Sequence, residues 1–314
     1  MLIDITKDAQ FEMFDFTYNK CTGIRSYQPY PELINESLEE AVRLIGEAKK
    51  PFVVWGQGVI LGQAEEEFKT FLETSGIPAA WTILGLSALP TGHPSNRGMV
   101  GMHGNYAPNL LTNECDLLIA IGMRFDDRVT GDLNTYAKQA KVIHLELDPA
   151  EVNKNVKADV TLLCDCKISL QALNDKISTK TYPEWIKRFD DLDVIEKEKV
   201  IYGDLNPTKP GLTMGESVEM INKHSNGDAV IVTDVGQHQM VACRYAKFTQ
   251  SKSNVTSGGL GTMGFALPAA IGAKMGAPSR EVVAIIGDGG YQMTIQELGT
   301  IFQQQVAVKI VILN

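Results

Sequence analysis

Gly287-Asp288-Gly289-Gly290 follows directly on Val282 to Ile286, a short run of β-formers. The strand delivers one carboxylate to its carboxyl end, and the glycines let a ligand come close to the main chain. A carboxylate beside a phosphate is repulsive by itself, and a divalent cation between them removes the conflict. Mg²⁺ takes hard oxygen ligands, one or two from side chains and the rest from phosphate and water. The next apolar strand ends Val311-Ile312-Leu313-Asn314 and offers an amide oxygen at the same edge. Asp288 is thus a candidate metal ligand in a clamp for a diphosphate, although Gly-Asp-Gly alone is also what a tight strand-to-helix turn requires. Two further segments are glycine turns before a helix: Val235-Gly236-Gln237-His238, and Gly258 to Gly264 with Gly261 and Met263 inside it. Such turns aim N–H groups at an anion, or simply reverse the chain. Gly122-Met123-Arg124-Phe125-Asp126-Asp127-Arg128-Val129 sets two guanidiniums beside two carboxylates after a strand. That is a fork for a pyrophosphate or, equally, a surface salt-bridge cluster.

Strands must position these groups, and the sequence supplies strands in alternation with helices. The opening MLIDITKDA reads as one strand with no domain in front of it. A helix follows from a Ser37–Glu40 capping box with Leu38, Ala41, Val42 and Ile45 on one face. Then come strand Phe52 to Trp55, helix Ala64 to Thr74, strand Ala79 to Ile83, a helix near Leu110 and strand Leu117 to Ile121. A helix near Tyr136, strands Val142 to Leu147 and Val160 to Leu163, and helix Ile168 to Ile177 complete the unit. Three prolines and a charged run mark 179–211 as a linker with a surface helix. A second series follows: helix Glu216 to Lys223, strand Ala229 to Thr233, helix Gly264 to Lys274, strand Val282 to Ile286, a helix capped by Thr294 and Glu297, and strand Val308 to Leu313. Short, doubly buried strands alternating with amphipathic helices predict an α/β fold of two doubly wound parallel sheets. The orphan first strand and the stop on a central strand lead us to expect a chain cut at both ends.

Composition narrows the function classes. The 314 residues are 44% hydrophobic with a net charge of −9, and no basic block suggests a nucleic-acid partner. The longest apolar run, near Leu117 to Met123, is far shorter than the roughly 18 residues of a membrane span. No basic-then-apolar leader opens the chain, so a cytoplasmic location is expected. Five cysteines form no disulfide framework, and Cys164-Asp165-Cys166 lacks the second pair of a zinc site, so reduced thiols are expected.

Taken together, the segments resemble thiamin-diphosphate-dependent enzymes, and among them the acetohydroxyacid (acetolactate) synthase family. Gly287-Asp288-Gly289 followed by a strand ending in Asn is similar to that family's cofactor motif, although the metal-binding Asn there is usually the second of a pair. Counted from Asp288, Asn314 falls on the first. The resemblance implies that Val235, Gly236, Gln237 and His238 contact diphosphate, that Met263 beside Gly261 supports the bent cofactor, and that Asp288, Gly289 and Gly290 complete the clamp. Many relatives carry Ser or Ala where Gly290 stands. The segment Gly122 to Gly131 is close to the stretch that lies along FAD in this family, implying Gly122, Arg124, Asp126, Arg128 and Val129 as contacts. Gly98 to Gly104, with Met102, His103 and Gly104 as contacts, matches the loop under the isoalloxazine; Arg25, Asp165 near the adenine, and Glu146 with Leu147 match other FAD positions, the acid at a strand end suited to ribose hydroxyls. Gly56 and Gly58 form only part of a dinucleotide fingerprint.

The implied organisation is a pyrimidine-domain tail and linker at 1–20, a central FAD-binding-type, Rossmann-like domain at 21–178, the linker at 179–211, and a truncated thiamin-diphosphate-binding domain at 212–314. The implied activity joins two 2-oxoacids, pyruvate with pyruvate or 2-oxobutyrate, in branched-chain amino-acid synthesis, with Mg²⁺, thiamin diphosphate and a largely structural FAD. The family further implies a homodimer or tetramer and a possible regulatory subunit. Its activating glutamate belongs to the pyrimidine domain, so no acid or base is assigned in this chain, including His103, His144 and His238. An isolated piece is expected to be inactive. A sister carboligase, a pyruvate oxidase-like enzyme, or a flavin-nucleotide binding module are the competing readings.

Overall fold

A computed structural model describes residues 3–23, 29–208 and 210–314. Two compact units divide between Tyr30 and Pro31. In the first, α1 (Lys7–Phe11) is the only helix among the described residues and buries nothing. Among the described residues the strand expected at the opening is absent: Ile3 and Ile5 stand exposed, and without a paired neighbour an extended segment has no ladder to join.

The second unit holds two parallel sheets. The first is built from β1 (Pro51–Trp55), β2 (Ala79–Trp81), β3 (Asn96–Met99), β4 (Leu117–Ile121), β5 (Lys141–Glu146) and β6 (Val160–Leu163), in the order β3-β2-β1-β4-β5-β6. Its helices are α2 (Asn35–Glu47), α3 (Gly58–Leu61), α4 (Glu65–Ser75), α5 (Tyr106–Leu111), α6 (Asp127–Thr130) and α7 (Cys166–Asn174). β1 and β4 are buried at every position, which is why they read as unbroken apolar runs. Next come α8 (Pro183–Glu196), a π turn over Lys197–Ile201, and α9 (Tyr202–Leu205). The second sheet has α10 (Met214–Ser225), β7 (Val230–Thr233), α11 (Gln237–Tyr245), β8 (Asn254–Thr256), α12 (Ala266–Gly276), β9 (Val282–Gly287), α13 (Asp288–Met293), α14 (Glu297–Gln304) and β10 (Lys309–Leu313). Its strand order is β10-β9-β7-β8, so β10 is an edge strand.

The two-sheet α/β architecture matches the sequence reading, with local corrections. The Ser37–Glu40 box does not form: α2 begins at Asn35, and Glu40 instead accepts from Arg43 Nε at 2.8 Å. The Thr294–Glu297 box is absent too, because the Thr294 hydroxyl donates to the Gly264 carbonyl at 3.0 Å. A capping box does form at Thr213 and Glu216, opening α10. No helix forms at Tyr136; Asp132 accepts the Asn134 N–H at 2.9 Å and holds a turn instead. The expected surface helix in the linker is a packing helix. Trp185, Phe189 and Leu192 of α8 are buried, Trp185 Nε1 donates to the Pro51 carbonyl at 2.9 Å, and Phe189 stacks on Phe52 with ring centroids 5.3 Å apart. Its apolar stripe was masked by the surrounding charges. β3 and β8, short and polar, were not foreseen. All five cysteines are free, as expected.

Asp193 on α8 gives a stability test. Burial, with Glu196 and Asp190 nearby and against the pull of Arg97 and Lys197, pushes its carboxyl up to about 6. The native state then holds this proton more tightly than the unfolded chain, so stability falls as pH rises from about 4 through 6. Asp193→Asn should therefore stabilise the protein by about 1 kcal/mol at pH 7.5, the shift being discounted for a partly solvated group. It should change nothing at pH 4. Urea midpoints at the two pH values check this.

Candidate functional site

Both sheets carry their candidate residues on loops at the carboxyl ends of their strands. In the first sheet the chain turns from β1 towards β2 and β3 on one side, while β4, β5 and β6 extend the other. The crevice between β1 and β4 is therefore the switch point where ligands of open α/β sheets bind. Gly56 and Gly58 after β1 interlock there with Gly122 after β4. Gly56 N–H donates to the Ile121 carbonyl at 3.0 Å, and Gly58 N–H to the Gly122 carbonyl at 2.9 Å. A Cβ on Gly58 would lie 2.5 Å from the Gly122 Cα, and Gly122 has φ +58°. These glycines serve loop-on-loop packing as well as ligand approach.

Above them lies a groove of about 600 Å³ whose lining includes Gly56, Arg124, Arg128, Glu146 and, from the second sheet, Gly258. Arg124 pairs with Asp126, which also caps α6 by accepting from the Arg128 N–H at 3.0 Å. The Arg128 side chain is left exposed. Glu146 Oε1 accepts from the Leu147 and Asp148 N–H groups at 2.8 and 3.1 Å, fixing the acid at the rim. Behind it, His144 Nε2 lies 2.8 Å from the Met123 carbonyl, and burial holds this imidazole below its usual pKa against the pull of Met123, Glu146 and Glu151. It is thus neutral and structural.

The remaining expected FAD residues divide. Gly122 and Val129 line the groove, whereas Met102, His103, Gly104, Leu147 and Asp165 do not. Met102 adjoins it through Arg128, whose carbonyl accepts the Met102 N–H at 2.7 Å. Asp165 accepts the Lys167 N–H at 2.8 Å and caps α7. Arg25 lies outside the described residues.

In the second sheet, β7 and β9 are neighbours, and β10 pairs with β9 so that Leu313 faces Gly287. Asp288 and Asn314, the next residues on each chain, are therefore side by side at one edge, both exposed. Gly236 and Gln237 open α11 beside them, with the Gln237 side chain exposed. The His238 ring is buried and bonded to Asp234, so what His238 offers a ligand is its main chain at the helix N-terminus. Met263 is half-exposed, its methyl 3.5 Å from where a Cβ on Gly289 would stand; Gly261 is exposed on the same turn. Val235 is half-buried between strand and helix.

Asp234 is the residue sequence reasoning missed. It is fully buried, its Oδ1 bonded to His238 and its Oδ2 accepting the Gly264 N–H at 2.9 Å. A Cβ on Gly290 would land 1.8 Å from Oδ2. One carboxylate thus ties together the loops after β7, β9 and before α12. The signal was present in an acid directly after an all-β-branched strand.

Among the described residues no group of three His, Cys, Asp or Glu side chains can hold a metal ion by itself. Asp288 carries a hard carboxylate oxygen at the exposed sheet edge, a donor type that suits Mg²⁺ where phosphate and water complete the shell. The donor set fits that group only alongside an anion.

Comparison with known proteins agrees with this geometry. Residues 38–173 match the central domain of thiamine pyrophosphate enzymes, and residues 234–314 their C-terminal TPP binding domain. The chain is 40% identical over 321 residues to the acetolactate synthase large subunit of Corynebacterium glutamicum, covering 100% of this chain and 50% of that protein. It is 40% identical over 327 residues to acetolactate synthase 2, chloroplastic, of Nicotiana tabacum, covering 100% of this chain and 47% of that one. With the acetolactate synthase large subunit of Lactococcus lactis the identity is 37% over 313 residues, 99% and 54% of the two chains. The chain spans about half the length of these relatives.

Proposed function

Because the chain belongs to the thiamine pyrophosphate enzyme family, we propose that it forms the central and cofactor-binding parts of an acetolactate-synthase-type carboligase. The observation that carries this reading is the convergence of Asp288, Asn314, the α11 N-terminus and Met263 on one sheet edge. Asp288 would be this chain's Mg²⁺ ligand, the Gly236 to His238 main chain would bind the diphosphate, and Met263 would support the ring portion of the cofactor. When bound, thiamin diphosphate supplies the electron-sink chemistry by which one 2-oxoacid loses CO₂ and its remainder joins a second as a 2-aceto-2-hydroxyacid.

The groove of the first sheet suits FAD. Arg124 and Arg128 would hold its pyrophosphate and Glu146 its ribose, and Gly56, Gly58 and Gly122 leave room for it near the main chain. Met102 to Gly104 would adjoin the flavin ring and Leu147 and Asp165 would act at its periphery, while Arg25 is proposed as an FAD contact on the resemblance alone. The domain borders are proposed as in the sequence reading. No acid or base is assigned here; the activating glutamate is expected from a pyrimidine-binding domain, and the isolated chain is expected to form no acetolactate. A homodimer or tetramer, and a small regulatory subunit, are the proposed assembly. Among the described residues no helix is long and apolar enough to cross a membrane.

Calorimetry with thiamin diphosphate tests the metal clamp. A charged ligand contact contributes about 1.5–3 kcal/mol, so Asp288→Ala should weaken binding at least about tenfold in Mg²⁺. It should have no effect in EDTA and should leave Tm unchanged, since Asp288 is exposed. Binding indifferent to both Mg²⁺ and the substitution would sink the reading.

A further inference from the structure

Helix α11 has business at both ends. Its first turn stands in the diphosphate site, while Arg244, next to its last residue, reaches the turn that carries Met102 to Gly104. Arg244 Nη2 donates to the Gly104 carbonyl at 3.1 Å, and Nη1 donates to Glu196 Oε1 at 2.9 Å. Glu196 is 5% exposed and ends α8, where the helix passes into the π turn. Its Oε1 also accepts from Asn105 Nδ2 at 3.2 Å, and its Oε2 accepts the Tyr106 N–H at 2.9 Å. Asn105 in turn accepts the Met99 N–H through Oδ1 at 2.8 Å. A carboxylate this buried requires its partners, and here they are Asn105 and Tyr106 at the far end of one surface turn and Arg244 of α11, with Asn105 carrying the link on to Met99 at the turn's near end. The turn itself is exposed at Met102 and His103, so its inner face is where its position is decided. Neither Glu196 nor Arg244 lines the groove.

We infer that Arg244 and Glu196 are a positioning pair that holds the Met102–Gly104 turn at the flavin groove, bracing it from the helix whose other end serves the diphosphate. This rests on the flavin reading given above for its ligand arm, but not for its structural arm. A helix interrupted by a π turn is a frequent mark of such sites, because the extra residue re-aims one side chain without ending the helix.

The test uses the full chain. Hydrogen exchange over Met99 to Tyr106 is measured without ligand for the parent, Arg244→Gln, Arg244→Lys and Glu196→Gln, alongside FAD titration by flavin fluorescence and thiamin diphosphate–Mg²⁺ calorimetry. Arg244→Gln and Glu196→Gln should each speed exchange in this segment and weaken FAD about tenfold, with diphosphate affinity unchanged. Arg244→Lys should restore FAD affinity part of the way, since a lysine keeps the cation at Glu196 but cannot also hold the Gly104 carbonyl. Unchanged exchange in both glutamine variants would overturn the inference. So would equal weakening of both ligands, which marks general loosening. A parent that binds no FAD would refute the flavin reading, while the exchange arm still decides the pair. Should Arg244→Gln fail to fold, Arg244→Lys and Glu196→Gln carry the same comparison.

Discussion

Gly122→Ala will destabilise the protein by about 3 kcal/mol and, on the flavin reading proposed above, abolish FAD binding. Two separate penalties add. A left-handed residue with a side chain costs about 1–2 kcal/mol, and φ here is +58°. Overpacking a dense contact costs a further 1–3 kcal/mol or so, and the new Cβ would meet the Gly58 Cα at 2.6 Å. That neighbour is main chain, held by the bond from Gly58 N–H to the Gly122 carbonyl, and cannot rotate away. Forcing the two loops apart opens the floor of the groove itself. Gly261→Ala separates the penalties: its φ is +67° but nothing lies within 4 Å, so about 1 kcal/mol should be lost. Urea unfolding and FAD titration check both, and equal losses in the two variants would contradict the interlock.

Asp234→Ala should be the most damaging single change in the second sheet. It removes both acceptor oxygens and strands the Gly264 N–H and the His238 ring in a site without water access. Leaving a buried donor without its acceptor costs about 1–3 kcal/mol, and two donors lose theirs here. Because the same carboxylate backs Gly290, the loops after β7 and β9 lose their common anchor and diphosphate affinity should disappear. Asp288→Ala is the contrast, losing metal-dependent affinity at parental stability. An Asp234→Ala protein with the parental Tm and intact diphosphate binding would contradict this account.

What could be read from residues alone was whatever depends on local pattern. Strand β4 and the placement of Asp288 at a strand end followed from apolar runs broken by glycine, and β6 from a short run bounded by Asp159 and Asp165. The helix caps misled, because Ser37 and Thr294 had competing geometry that only the tertiary fold reveals: a helix beginning earlier, and the Gly264 carbonyl within reach. Trp185, Phe189 and Leu192 were hidden by their charged neighbours, and the burial of α8 depends on Pro51 and Phe52, far away in sequence. The role of Glu196 was invisible for a related reason, and that of Asp234 was signalled only by its place after a β-branched strand. A buried acid is recognised by its partners, and theirs come from loops joined only when the sheets are assembled.

The rim strand β10 has a practical consequence. It pairs with β9 on one side, no described strand covers the other, and Ile312 projects half into solvent. An open row of amides beside apolar side chains is a template for self-association, and Lys309, already engaged with Glu281, is the only charge along it. That margin is where a further strand can pair in register, and a lysine placed at position 312 would oppose such pairing.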